Sequence, residues 1–381
     1  MTTIHHERHN ALSSSSVTEY NVHGLVAIRL HDAPQHVLDA VTAELGPPRE
    51  PAREPDLVVR FVDEVSPVGY LRLLGLHQAA FDDEHFYLLD AQRRRALVDF
   101  ARLGTPCEIV CERAIARIPL LVPILGLYLL RAQHVLLHAA SFVHRGKGVL
   151  VTGWQKGGKT ETLLPFMAAG AQYLADEWTV VGGDEPALYG LSNVARVWDW
   201  HFRHVPQYWA RITPSQRARL RVWRGYHRLY RLLPRHDHLR SWPVRLLRQV
   251  STEGGAAWQG VDQIAPAALF EANVWSGRAP LDRVFLPVLG QPDGIAVVAT
   301  DGAAVAERMV SSLEFERAAL TTAYQQFRFA FPDRVNPVLD SAREQELKLL
   351  TAALAGVPAY EIRHPYPVAL RALYDAAAPY C

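Results

Sequence analysis

Apolar and polar positions change rhythm along this chain, and each change predicts a different kind of element. From Tyr20 to Leu30 they alternate, which suggests a strand. Asp56–Val65 and Glu84–Asp90 read as further strands, and Ala91–Leu103 has helical spacing. Residues 17–112 are therefore expected to form a small N-terminal α+β domain, preceded by a disordered tail over 1–16. From Ile118 the pattern becomes buried apolar runs separated by glycine-rich turns, the mark of an α/β core. The C-terminal part is mainly helical. It has one long amphipathic stretch, or two helices, over Ala303–Ala330, a second over Ser341–Gly356 stopped by Gly356, a strand near Tyr360 and a short last helix.

The most apolar run, Ile118–Leu130, is thirteen residues long and carries Pro119 and Pro123. A bilayer span needs about 20, so this is expected to be a core helix and no membrane contact is expected. Net charge is +1, so the whole molecule is not a polyanion binder. Cys107, Cys111 and Cys381 make no disulfide framework, and a reducing cytoplasm is the expected location. Cys107 and Cys111 alone are half a metal site at most; buried thiols are the plainer reading.

Lysine is rare. Of 40 basic residues only Lys147, Lys156, Lys159 and Lys348 are lysines, and three of them fall within thirteen residues. Lys156 and Lys159 lie within, and Lys147 six residues before, Gly153-Trp154-Gln155-Lys156-Gly157-Gly158-Lys159-Thr160, which matches G-x-x-x-x-G-K-[ST] without a gap. An apolar β-branched run precedes it and a helix pattern ending at Gly170 follows, the setting in which such a loop cradles phosphates. Glycines let backbone N–H groups converge on the anion, and the helix N-terminus adds positive potential. Lys159 would reach the β- and γ-phosphates, and the Thr160 hydroxyl would ligate Mg²⁺.

A phosphoryl-transfer site also needs a carboxylate for the metal and, for a hydroxyl acceptor, a base. Asp176-Glu177 lie sixteen residues past Thr160, one helix and one strand on, and should return to the loop. A surface acidic pair is the alternative. His138, in the apolar "VLLHAAS", reads on its own as a core histidine.

Together, residues 136–180 resemble the catalytic domain of HPr kinase/phosphorylase and its relatives. There a strand with a histidine, a hairpin, a phosphate loop, a Glu after the loop's Ser/Thr and an acidic pair follow in that order. The resemblance implies a P-loop core of the HPr kinase/phosphoenolpyruvate carboxykinase type over 113–381. It places Gly153–Thr160 and Glu161 on the nucleotide, Thr160, Asp176 and Glu177 on the metal, and His138 near the transferred phosphate, with Asp176 as the base. It also implies an oligomer. The chain departs from the family in three ways. The second acid is Glu, the loop carries Trp154-Gln155-Lys156, and the family's second glycine-rich signature is replaced by Ser192–Val205 and an Arg-rich segment.

That segment, an insertion at about 203–250, holds twelve arginines against one acid, Asp237, over Arg203–Arg248, with aromatics interleaved. It reads first as a helical hairpin paired with acids of the same chain and next as a clamp for an acidic or phosphorylated substrate. A nucleic-acid surface and a contact to an acidic subunit are the weaker readings. His236-x-His238 reads as a surface turn. The expected function is an ATP- or GTP-dependent, Mg²⁺-dependent phosphotransferase acting on a hydroxyl, a serine of a peptide or protein or the free amino acid. A nucleotide-binding regulatory module and a plain NTPase are the alternatives.

Overall fold

A computed structural model describes residues 16–75, 78–183, 185–191, 194–232, 261–275, 277–290 and 294–381, without the side chains of 226–232 and 261–263. Most of the expected tail, His236, His238 and the end of the Arg-rich segment lie outside the described residues. Among the described residues the fold is mixed α/β with several sheets and no closed barrel. Among the described residues no helix is long and apolar enough to cross a membrane.

The first sheet has eight strands: β1 (Val17–Val22), β2 (Val26–His31), β3 (Leu57–Val62), β4 (Arg72–Leu74), β5 (Ala79–Phe81), β6 (Phe86–Leu89), β7 (Arg95–Val98) and β8 (Cys107–Glu112). Their order is β1-β2-β3-β8-β7-β6-β5-β4. Helix α1 (Gln35–Leu45) makes the crossover between the parallel strands β2 and β3, burying Val37 and Val41. The alternating run from Tyr20 is two strands, not one, because the chain reverses at His23-Gly24, both with positive φ. The helix expected over Ala91–Leu103 is instead β7 and a 3₁₀ turn at Phe100–Arg102. Asp90 Oδ1 accepts the N–H groups of Gln92 and Arg94, which turns the chain back as a hairpin. Ala96 and Val98 then point into the core with period two. Cys107 and Cys111 are buried on β8 as free thiols.

The apolar run at 118–130 is helix α2 (Leu121–Arg131), with Pro123 in its first turn, where no N–H bond is lost. Then come β9 (His134–Leu137), β10 (Ala139–His144), β11 (Lys147–Thr152), helix α3 (Lys159–Ala168), β12 (Gln172–Ala175), β13 (Thr179–Gly182), β14 (Ala187–Gly190) and β15 (Ala195–Trp198). Helix α4 (Pro214–Leu232) is followed by β16 (Val261–Ile264), β17 (Arg278–Pro280), β18 (Arg283–Leu289) and β19 (Ala296–Thr300). Helices α5 (Gly302–Glu316), α6 (Ala318–Ala330) and α7 (Ala342–Leu354), strand β20 (Ala359–His364) and helix α8 (Leu370–Ala377) complete the chain.

The central sheet has the order β12-β10-β11-β18-β20-β19. Arg145 and Gly146, both at positive φ, close the β10–β11 hairpin in two residues. Because β10 runs antiparallel to both β11 and β12, the start of β10 and the ends of β11 and β12 share one edge. Parallel β18 and β20 bring their C-terminal ends to the same edge as β11. Helices α3 and α8 bury Phe166, Leu370 and Leu373 in one core with this sheet, and α5 and α7 bury Val310 and Leu350 in another. Helix α6 leaves the others. Its Leu320, Ala323, Tyr324 and Phe327 enter the core of the first sheet. Buried Asn336 donates to the carbonyls of Phe100 (2.6 Å) and Leu103 (2.9 Å), joining the segment after α6 to that sheet.

Candidate functional site

The shared strand edge collects nearly every residue singled out from the sequence. The loop after β11 turns sharply: Lys156 has φ +58° and Gly158 has φ +107°. Gly157 N–H donates to the Trp154 carbonyl (3.1 Å), closing the loop on itself. A side chain at Gly158 would be strained by its φ and would meet His364 Nε2 at 2.5 Å, so glycine is required there on two counts. Trp154 and Lys156 face solvent, and Gly153, Gly157 and Gly158 are buried.

Lys159 opens α3 and is 6% exposed. Its ammonium donates to the Gly153 (3.3 Å) and Trp154 (3.1 Å) carbonyls, folding back over the loop. Burial lowers its pKa, against the pull of Glu177, Glu316, Asp176 and Glu161. A buried ammonium held by two neutral carbonyls can exchange them for the oxygens of an incoming phosphate.

Thr160 Oγ1 donates to Asp176 Oδ1 at 2.9 Å, the juxtaposition expected of the loop and the acidic pair. Asp176 is 2% exposed, and its other oxygen accepts the Arg196 N–H at 3.0 Å. Burial, and then the charge of Glu177, push its carboxyl well above the usual range. That suits a proton acceptor. Glu177 lies 3.6 Å from His138 Nε2 and 3.3 Å from Arg196 Nε.

His138 sits at the break between β9 and β10, where the chain passes from one sheet to the next. Its side chain is 18% exposed and is not buried in the core. Nδ1 is 2.6 Å from Glu316 Oε1, at the end of α5, and Nε2 faces Glu177. A carboxylate on Nδ1 fixes that nitrogen as the donor. Gln155 Nε2 donates to the same Glu316 oxygen at 2.8 Å, so one carboxylate holds both the histidine and the loop. Burial opposes ionisation of Glu316, but His138, Gln155 and Lys159 keep its pKa below normal. On the other side, Glu161 faces His201 Nε2 at 3.4 Å, while His201 Nδ1 accepts the Trp198 N–H at 3.1 Å.

Glu316, Arg196, His201 and His364 were not marked by the sequence. They lie 20 to 206 residues from Asp176, Glu161, His138 or Gly158, their partners here, and match no local motif. Of the Arg-rich segment, Arg224 pairs with Asp199 (2.5 Å) and Arg211 with Glu271 (3.1 Å), and Arg221 and Arg224 lie over Trp209. These described arginines are engaged within the chain.

Thr160, Asp176 and Glu177 offer hard oxygens of the kind Mg²⁺ takes. Among the described residues no group of three or more His, Cys, Asp or Glu is placed to hold a metal ion by itself. A magnesium ion here would complete its shell from phosphate and water, as this ion normally does. No protein-family model matches the chain, and no curated protein matches it.

Proposed function

We propose that this protein is a phosphotransferase that uses ATP or GTP with Mg²⁺ to phosphorylate a hydroxyl, on a P-loop core of the HPr kinase type. The observation that carries the reading is the Thr160–Asp176 hydrogen bond at the mouth of a glycine loop that also holds a buried lysine. An acid beside the loop threonine serves a magnesium-bound phosphate chain in any site of this kind; the burial of Asp176 and its raised pKa also suit it to take a proton from a hydroxyl.

In this reading the loop amides and the α3 N-terminus hold the phosphate chain, and Lys159 exchanges two loop carbonyls for phosphate oxygens. Bound magnesium would neutralise charge on the phosphates, held by Thr160 and Glu177. Asp176 accepts the proton of the attacking hydroxyl. Glu316 orients His138 toward the reacting end and fixes Gln155, so that the charge is met by groups already in position. The acceptor is a serine-type hydroxyl of a peptide, protein or free amino acid.

The test is transfer of the γ-phosphate from labelled ATP or GTP to a panel of free serine, serine-containing acidic peptides and cell extract. Acceptor-dependent label is the expected result. Phosphate release that no acceptor stimulates would mark an NTPase, and binding without turnover a regulatory module; either would displace the proposal.

A further inference from the structure

We propose that the nucleoside of the bound nucleotide stacks on Tyr366, in the corner that this ring forms with Trp200. The inference rests on the phosphate-loop reading above and assigns the half of the site that the loop does not.

Strand β20 ends at His364, beside the loop. His364 is fully buried. Its Nδ1 lies 3.0 Å from the Pro365 carbonyl, which can only accept, so Nδ1 carries a proton. Nε2 has no hydrogen-bond partner among the described residues and is directed at Gly158, the residue before α3. A buried ring nitrogen left unsatisfied against a helix N-terminus points to a polar ligand that enters there.

Two residues on, Tyr366 is 60% exposed. It stands edge-on to Trp200, with ring centroids 5.9 Å apart at 89°. Trp200 in turn packs on His201 (4.3 Å), whose Nε2 faces Glu161 in the first turn of α3. The charge of Glu161 also reaches the Tyr366 phenol, whose pKa is raised by burial and by that carboxylate. The chain after β20 therefore flanks the start of α3 on its Glu161 side.

The direction of the phosphate chain decides what belongs there. The reacting end must lie with Thr160, Asp176 and His138. The other end must leave the loop away from them, past Glu161, and the exposed ring on that side is Tyr366. A second exposed aromatic pair exists, Trp154 and Phe315, 51% and 50% exposed with centroids 4.9 Å apart. Each adjoins a residue of the His138 cluster, Gln155 or Glu316, so that pair lies at the reacting end and is wrongly placed for a base. Stacking on a tyrosine tolerates any base, so ATP and GTP are both accommodated.

The experiment is calorimetric titration of the full chain with MgATP and, separately, with magnesium tripolyphosphate, which has the phosphates and no nucleoside. Tyr366→Ala and Tyr366→Leu should weaken ATP about fivefold or more, the low end of base–aromatic stacking, and leave tripolyphosphate unchanged. Tyr366→Phe should match wild type with both. Equal weakening of both ligands, no weakening of ATP, or selective loss of ATP in Trp154→Ala instead would overturn the platform. Failure of wild type to bind tripolyphosphate would overturn the loop reading, and the platform with it. Binding with an unchanged ratio of ATP to tripolyphosphate affinity in the Tyr366 variants would overturn the platform alone.

Discussion

Replacing Asp176 with Asn should separate chemistry from folding. In the wild type, Oδ1 accepts from the Thr160 hydroxyl and Oδ2 from the Arg196 N–H. An asparagine of the same shape can keep both contacts. Its carbonyl oxygen accepts from Arg196, and its amide donates to Thr160, whose hydroxyl rotates to accept. Each bond loses its charge assistance, at a cost of about 1 kcal/mol. Against that, the variant removes a buried carboxylate next to Glu177. Its pKa is raised on folding. The stability it contributes is therefore fully present below its ordinary value of 3.8 and is lost as pH rises through the higher folded value. At pH 7, without nucleotide or metal, the two effects oppose, and Asp176→Asn should lie within about 1 kcal/mol of wild type. Its stability relative to wild type should fall as the pH is lowered. Loss of a general base costs roughly 10²–10⁴ in rate, or about 3–5 kcal/mol in the barrier. Urea unfolding at pH 7 and pH 5, nucleotide titration and single-turnover transfer form the assay. Transfer within threefold of wild type would remove Asp176 from the mechanism. Gross unfolding would refute the claim that asparagine satisfies both partners.

Lys159→Met should weaken MgATP binding about 10- to 100-fold, the worth of a charge-assisted contact, without loss of stability, because a buried ammonium is removed; titration calorimetry and thermal melts check both. Glu316→Ala should lower transfer at least tenfold, whereas Glu316→Gln should retain most of it, since His138 and Gln155 both use Oε1; equal losses would show that the charge matters and the geometry does not. In the first sheet, Asp82 accepts the N–H groups of Val68, Glu84 and His85 and the Tyr87 hydroxyl, and although burial opposes it, these bonds hold its pKa down to about 2. Its contribution is present above 3.8 and lost as pH falls toward 2, so Asp82→Asn should cost about 2–4 kcal/mol at neutral pH and flatten the acid limb of urea-unfolding free energy against pH.

The parts of the site that a local pattern can encode were legible. A glycine loop between an apolar strand and a helix, and an acid one helix and one strand later, are constraints within about twenty-five residues, and Thr160 does meet Asp176. His138 read as a core residue by its neighbours alone, because Leu136, Leu137, Ala139 and Ala140 are all buried; only its place at the sheet edge exposes the ring to the site. Glu316 was not legible. Its helix shows which face is apolar, but nothing in "LEFE" says that the last carboxylate ends 178 residues away on a histidine. In the first sheet, Ala91–Leu103 failed for the opposite reason. A short apolar run can satisfy either period, and the asparagine-like turn at Asp90 settled the matter in favour of strand.

The junction at Glu316 also ties the loop after β11 to the first sheet. Helix α5 delivers Glu316 to His138 and Gln155, and after one residue α6 begins and buries Tyr324 and Phe327 in the core of the first sheet. The residue between is Arg317, and its guanidinium pairs with Glu346 of α7, itself 5% exposed. A buried pair of this kind adds little net stability, but leaving either member alone costs several kcal/mol, so it defines one geometry for the turn between α5 and α6. Asn336 then anchors the far end of the same segment to Phe100 and Leu103. The carboxylate that positions His138 is thus fixed from both sides by contacts outside the site. Anything that shifts the first sheet against α6 has a covalent route of one residue to the carboxylate that holds His138 and Gln155.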